Sequence, residues 1–313
     1  MKRKNSKISY DKYGYLFVAP FFIVFLLFQI YPMLYTVNLS FTDYTGWNQD
    51  YTYNGLTNYI WLIKNSFFLK SIGNTFLLWI CNFIPQMCIA LFFAALFTND
   101  RVKIPGTGFF KVVFYMPNII TAASVALIFG QLFGHPYGPI EQMLKTLGIV
   151  EEIQFFQSKG WTRAIIVFIQ FWMWFGQNMI VYMATILSIN PSLFEAARID
   201  GAGDGQIFFR ITLPLLRPML VYILVTSMVG GLQMFDIPYL LNGGGPDYAS
   251  ETMATYIYKQ AFTGQQNYNI ASAGSMYLLF IALIISGAIF RVLRGKDDDA
   301  PKKGGRREKK KDY

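Results

Sequence analysis

Residues 195–214, "EAARIDGAGDGQIFFRITLP", are a polar island in an apolar chain. Glu195, Arg198 and Asp200 fall within its first six residues, glycines stand at 201, 203 and 205, and it closes on Pro214. Long hydrophobic runs flank it on both sides, so the class of fold depends on where such a segment can lie. Of 313 residues, 54% are hydrophobic and 14% are charged. Soluble domains carry about a quarter charged residues, so the composition points to a membrane protein in which this stretch is a surface loop.

The first apolar run, "YLFVAPFFIVFLLFQIYPMLYTV" (15–37), reaches roughly 34 Å as a helix and can cross a bilayer. It is too long for a signal-peptide core and is followed by no small-residue cleavage site, so it reads as a retained span. Five more runs, at 73–97, 109–133, 164–187, 212–235 and 270–290, complete an all-α membrane protein with a six-helix bundle at 15–290. Pro20, Pro32, Pro85 and Pro117 interrupt or border these runs, which a bundle tolerates when neighbours satisfy the freed backbone groups.

An even number of spans puts both termini on one side. The basic N-terminus 1–14 and tail 291–313 carry the excess charge: residues 1–12 hold five Lys/Arg against Asp11, and 291–313 hold ten against five acids. That net +4 and +5 accounts for the whole +9. Charge confined to tails beside hydrophobic runs is a topology signal and excludes a basic nucleic-acid-binding surface. With the tails cytoplasmic, the inside loops are 98–108 and 188–211, bearing Arg101, Lys103, Arg198 and Arg210. The outside loops, 38–72, 134–163 and 236–269, are about half as basic per residue. Residues 195–211 therefore belong on the cytoplasmic side of the membrane, with lipid around the spans.

Asn190-Pro191-Ser192 supplies an N-cap followed by proline at the first helical position, and the glycines of "DGAGDG" end the helix. The segment predicts helix, turn and second helix. Ala196 and Ala197 would let another backbone approach closely, while Glu195 offers a charged handle. A docking element and a plain interfacial elbow fit this pattern equally well.

The arrangement narrows that choice. Glu195-Ala196-Ala197, then Gly201, then Ile211, Leu213 and Pro214 after nine intervening residues, resembles the EAA loop of binding-protein-dependent ABC importer permeases. "NTF" (74–76), "NGGGPDYASET" (242–252), "YIYKQAF" (256–262) and "YNIASAGS" (268–275) are similar to the carbohydrate branch, nearest its maltose-F or glycerol-phosphate-A half. The chain resembles the shorter six-span members, without the extra N-terminal spans and large external domain of the maltose-type relative. The resemblance implies a type I importer fold and a coupling helix at Glu195, Ala196, Ala197, Asp200, Gly201 and Ala202. It also implies a second EAA-type permease, two cytoplasmic ATPase subunits that use ATP and Mg, and an external sugar-binding protein. No P-loop pattern occurs, so no cofactor is expected in this chain.

A sugar site needs aromatic faces, amides and hydroxyls with little net charge. Gln170, Trp174, Gln177 and Asn178 share a helical face in the fourth run, which Tyr182 is expected to continue. Gln233, Phe235 and Asp236 precede Pro238 in the fifth run, where Gly230-Gly231 is expected to loosen the helix near a midplane site. Amides also serve as interhelical links, the reading adopted for Asn74, Asn82, Gln86 and Gln131. Trp61, Trp79 and Trp161 read as interface anchors. An ion-coupled secondary transporter of a small polar solute is the alternative, but it wants ionisable groups inside the bundle, and only Asp236 comes near. An intramembrane enzyme would want a catalytic set; His135 has no partner in its turn-rich loop, and no metal-ligand cluster occurs. Cys81 and Cys88 read as free and packed.

Overall fold

A computed structural model describes residues 11–47, 50–102, 104–149, 152–264 and 266–293. Residues 1–10 and 294–313, which carry most of the charge behind the orientation expectation, lie outside the described residues, as do Lys103 and Glu151. Among the described residues all long regular structure is helical, and one isolated bridge pairs Thr42 with Tyr53.

Helix α1 (Asp11–Phe25) passes through a π turn at Leu26–Ile30 into α2 (Tyr31–Ser40). The wide turn ends two residues before Pro32, which has no N–H for an ordinary i−4 bond. Next, α3 (Thr57–Lys64) and α4 (Ser66–Phe97) meet at Asn65, whose side chain accepts bonds from Phe67 N and Phe68 N at 3.0 and 3.1 Å. The third apolar run is not one straight span. Helix α5 (Thr107–Ile119) and α6 (Ala122–Leu132) meet at 94°. Ile120 is extended just after Pro117, and Thr121 Oγ1 caps a new helix by accepting from Ser124 N.

After α7 (Pro139–Thr146), α8 (Lys159–Leu187) runs for 29 residues. Then come α9 (Pro191–Ile199), α10 (Asp204–Ile207), a second π turn at Phe208–Thr212, α11 (Leu213–Leu215) and α12 (Arg217–Leu232). The chain breaks at 233–235 before α13 (Asp236–Asn242), and α14 (Met253–Phe262) and α15 (Tyr268–Leu293) follow. Among the described residues, five helices are long and apolar enough to cross a membrane, and six if the bent pair is one span. The segments read as outside loops are themselves partly helical, in α3, α7, α13 and α14.

The body is built on α4 against α8, with α5 laid along α8. Ile165, Ile166, Ile169 and Met173 of α8 pack with Leu78 of α4, Val125 of α6 and Ile237 of α13. One residue sets the α5–α8 distance: a Cβ added to Gly176 would overlap the Phe114 carbonyl and lie 2.9 Å from Tyr115 N. At the end of the bundle away from α9, residues 243–252 are clamped onto α4 and α8. Asn74 Nδ2 donates to the carbonyls of Tyr248 and Glu251, at 2.7 and 3.0 Å. Arg163 donates to Ala249 O at 2.8 Å and to Asn74 Oδ1 at 2.7 Å. Lys70 and Lys159 both pair with Asp247, whose carboxyl is held below its usual range chiefly by the Lys159 hydrogen bond. Asn74 is thus a link between elements, as expected. Gln131 is exposed, and Cys81 and Cys88 are free but exposed rather than packed.

Candidate functional site

Helices α4, α8, α12 and α13 wall a cavity of about 340 Å³, within the range of roughly 300–1,000 Å³ typical of small-molecule pockets. It exists because α12 stops at Leu232: the irregular Gln233–Phe235 link leaves a gap opposite the amide-bearing face of α8. Gln170, Trp174, Gln177 and Asn178 line it from α8, and Gln233, Phe235 and Asp236 line it from the break. Seven of the eight substrate-path residues named from sequence therefore share one cavity.

Tyr182 does not join them. Twelve residues beyond Gln170, at 100° per residue, it is rotated by about 120°. It is fully buried between α4 and α12 with Phe83, Ala90 and Ile223. Three residues given other roles do line the cavity: Trp79, Asn82 and Gln86 of α4. Trp79 is no interface anchor. Its Nε1 donates to Ser227 Oγ of α12 at 3.3 Å, and its ring stacks on Phe83 with centroids 5.6 Å apart. Gly231 admits that indole: an added Cβ would overlap Cδ1 of the ring and lie 2.6 Å from Trp79 Cγ. Helix α12 continues through Gly230-Gly231 and gives way only at 233–235; Gly231 lets α12 approach α4, whereas a Cβ on Gly230 would meet nothing within 4 Å. Asn82 Nδ2 bonds Leu78 O of its own helix at 2.8 Å. Helical phase relative to α8 was the missing signal, since a single run does not show which faces of two helices meet.

The lining combines six amides, the hydroxyls of Tyr222, Thr226 and Ser227, two indoles and one phenyl ring. Its one ionisable acid or base is Asp236, whose side chain makes no hydrogen bond or ion pair among the described residues. Asn178 Nδ2 is buried without a partner among them. Trp174 leaves 44% of its surface open. Donors, acceptors and flat apolar faces with little charge suit a polyhydroxylated ligand.

The second group of residues sits at the far end of the bundle. Asn190 Oδ1 accepts from Ser192 N at 3.1 Å to start α9, with Pro191 in its first turn. At its other end Ala202 N bonds Ala197 O at 2.9 Å, and Gly201 has φ +85°, a left-handed angle at which side chains are strained. Gly203 N then donates to Gln206 Oε1 at 3.0 Å, and α10 begins. Arg101 reaches Asp204 at 3.5 Å, so the loops 98–108 and 188–211 lie at the same end. No residue of α9 is buried. Glu195, Ala196, Asp200 and Gly201 are exposed, Ala197 and Ala202 are half-buried, and Ile199 is 87% exposed.

The sequence also hid a charge cluster in the loop after α6. His135 Nδ1 lies 2.9 Å from Glu141 Oε2, its Nε2 lies 3.4 Å from Glu152, and Lys145 Nζ bonds Glu141 Oε1 at 2.7 Å. His135 thus has two acidic partners. Glu141 is fully enclosed, and the Lys145 hydrogen bond chiefly, helped by His135, holds its carboxyl below the usual glutamate range. Among the described residues no group of three metal-ligating side chains converges.

A helical bundle with an internal polar cavity and an uncovered helix–turn–helix at one end is the architecture of a transport permease. The chain belongs to the family described as the inner membrane component of binding-protein-dependent transport systems, whose profile matches residues 86–295. Among curated relatives, the probable ABC transporter permease protein YurN of Bacillus subtilis is 33% identical over 273 residues, covering 87% of this chain and 92% of that one. The lactose transport system permease protein LacF of Rhizobium radiobacter is 29% identical, covering 93% and 97%. The fold is also that of a bacterial ABC transporter involved in import of the acidic polysaccharide alginate, with TM-score 0.77, 26% identity and coverage of 91% and 96%. A bacterial alginate ABC transporter in complex with an alginate pentasaccharide-bound periplasmic protein gives 0.79, 26%, 94% and 98%.

Proposed function

We propose that this chain is the transmembrane permease subunit of an ATP-driven importer for a sugar or oligosaccharide. The observation that carries the substrate class is the cavity between α4, α8, α12 and α13, with its amides, hydroxyls and indoles and a single carboxylate. A path for an ion-coupled transporter would need ionisable groups deeper in the bundle, and the cavity supplies only Asp236.

The energy source is assigned to partner subunits through α9. Glu195, Ala196, Ala197, Asp200, Gly201 and Ala202 form the docking surface for a cytoplasmic ATPase, which binds the ATP and magnesium. An exposed helix with two alanines, an uncovered isoleucine and a rigid left-handed turn is suited to seating in another protein's cleft. On this reading residues 98–108, 188–211 and both termini lie in the cytoplasm, and the clamped 243–252 loop lies outside, where a sugar-loaded binding protein arrives. A second EAA-bearing permease would complete the path and a second ATPase the motor. Co-expression with the neighbouring transport subunits, followed by reconstitution and sugar uptake, tests this reading. Uptake that needs both internal ATP and the binding protein is expected; uptake that follows an ion gradient without ATP refutes it.

A further inference from the structure

We infer that Asp236 makes this wall of the pathway select against anionic saccharides and admit neutral ones. The inference rests on the sugar reading above and specifies the charge of the substrate. Family membership leaves that charge open, because relatives are named for lactose and for the acidic polysaccharide alginate.

Asp236 is the sole acid among the cavity-lining residues, and no Lys, Arg or His accompanies it. A site built for uronates or sugar phosphates would present a guanidinium or ammonium, because a desolvated anion needs a charged donor. The cations nearest this end are committed elsewhere. Lys70 and Lys159 hold Asp247, Lys259 holds Glu251 at 2.9 Å, and Arg163 is bonded to Ala249 O and Asn74. Arg217 starts α12 roughly 20 Å along the helix from Gly230. An anionic sugar therefore meets an unneutralised carboxylate and no compensating charge.

In a cavity of about 340 Å³ any ligand charge lies near Asp236. Two like charges about 8 Å apart, at an effective dielectric near 20, disfavour binding by roughly thirtyfold. Asp236 is exposed, and screening reduces this to about tenfold.

The test is direct binding to the purified permease–ATPase assembly without the binding protein, so that this site's own preference is read. The probes are matched mono- to trisaccharides that are neutral, carboxylated as uronates or bear an amine. Wild type is expected to bind uronates about tenfold more weakly than their neutral counterparts. Asp236→Asn should narrow the uronate-to-neutral ratio to within about twofold whatever it does to overall affinity, and Asp236→Glu should keep it wide. Uronates binding wild type as tightly as neutral sugars, or a ratio unchanged in Asp236→Asn, overturns the inference while leaving the sugar reading intact. Absence of binding by every member of the panel overturns the sugar reading, and this inference with it.

Discussion

Gly176→Ala probes how the cavity-lining helix α8 is held. The residue lies between Trp174 and Gln177 on α8, at the point where α5 passes closest. Its added methyl would overlap the Phe114 carbonyl and approach Tyr115 N to 2.9 Å, where ordinary van der Waals separation begins at 3.4 Å. Both obstacles are backbone, so no side chain can rotate away. The helices must part by about 1 Å, at a cost toward the upper end of the roughly 1–3 kcal/mol seen for overpacked cores. Parting them also turns Trp174 and Gln177 relative to α12. We expect the purified assembly carrying Gly176→Ala to melt several degrees lower and to transport more slowly. Gly73→Ala on α4 is the control. Its Cβ meets nothing within 4 Å, and replacing a mid-helix glycine contributes up to about 1 kcal/mol of stability. If Gly176→Ala melts with wild type and transports at the same rate, close packing of α5 on α8 does not set the site.

At Gly201, valine is expected to strain the turn at φ +85° by about 1–3 kcal/mol and to lower ATPase co-purification, whereas asparagine, which tolerates left-handed angles, should retain it. Alanine at Gln170, Trp174, Asn178 or Gln233 removes a hydrogen-bonding or stacking group worth about 1–2 kcal/mol to a bound sugar, and should raise the transport KM by about tenfold; KM unmoved at all four rules out the cavity as the path. The depressed Glu141 pKa means its carboxylate stabilises the fold above the ordinary glutamate range, and that contribution is lost as pH falls through the folded value. Glu141→Gln should accordingly melt below wild type at neutral pH, with the gap closing under acid; a gap independent of pH contradicts the linkage. Arg163→Lys cannot reproduce a fork that bonds both Ala249 O and Asn74, so hydrogen exchange in residues 243–252 should speed up.

Much of this molecule was legible because membranes demand simple patterns: an apolar run of about 20 residues has few alternatives to a spanning helix. The six runs, the capped helix from Pro191 and the turn at Gly201 follow from such local rules. The 94° bend between α5 and α6 was hidden because hydropathy continues through Ile119 and Ile120, and the decisive events are local: an extended residue after Pro117 and a new cap at Thr121. The residues named on α8 and at the helix break line one cavity except for Tyr182, and the lining from α4 was not foreseen. Periodicity ordered Gln170, Trp174 and Gln177, yet twelve residues of accumulated rotation carried Tyr182 into the core. Nothing in α4 alone tells Trp79, Asn82 and Gln86 from residues facing lipid or another helix. His135 likewise gained its partners Glu141 and Glu152 only when the loop folded back.

The central claim is that force from a partner ATPase, delivered through α9, moves a sugar past the cavity wall, and a single reconstitution addresses it. Proteoliposomes holding the full assembly, with ATP inside and sugar-loaded binding protein outside, are compared for wild type and Gly201→Val. Wild type should accumulate sugar only with internal ATP, and Gly201→Val should lose accumulation while its cavity still binds sugar. Accumulation by Gly201→Val at the wild-type rate, or by wild type without ATP, would contradict the account.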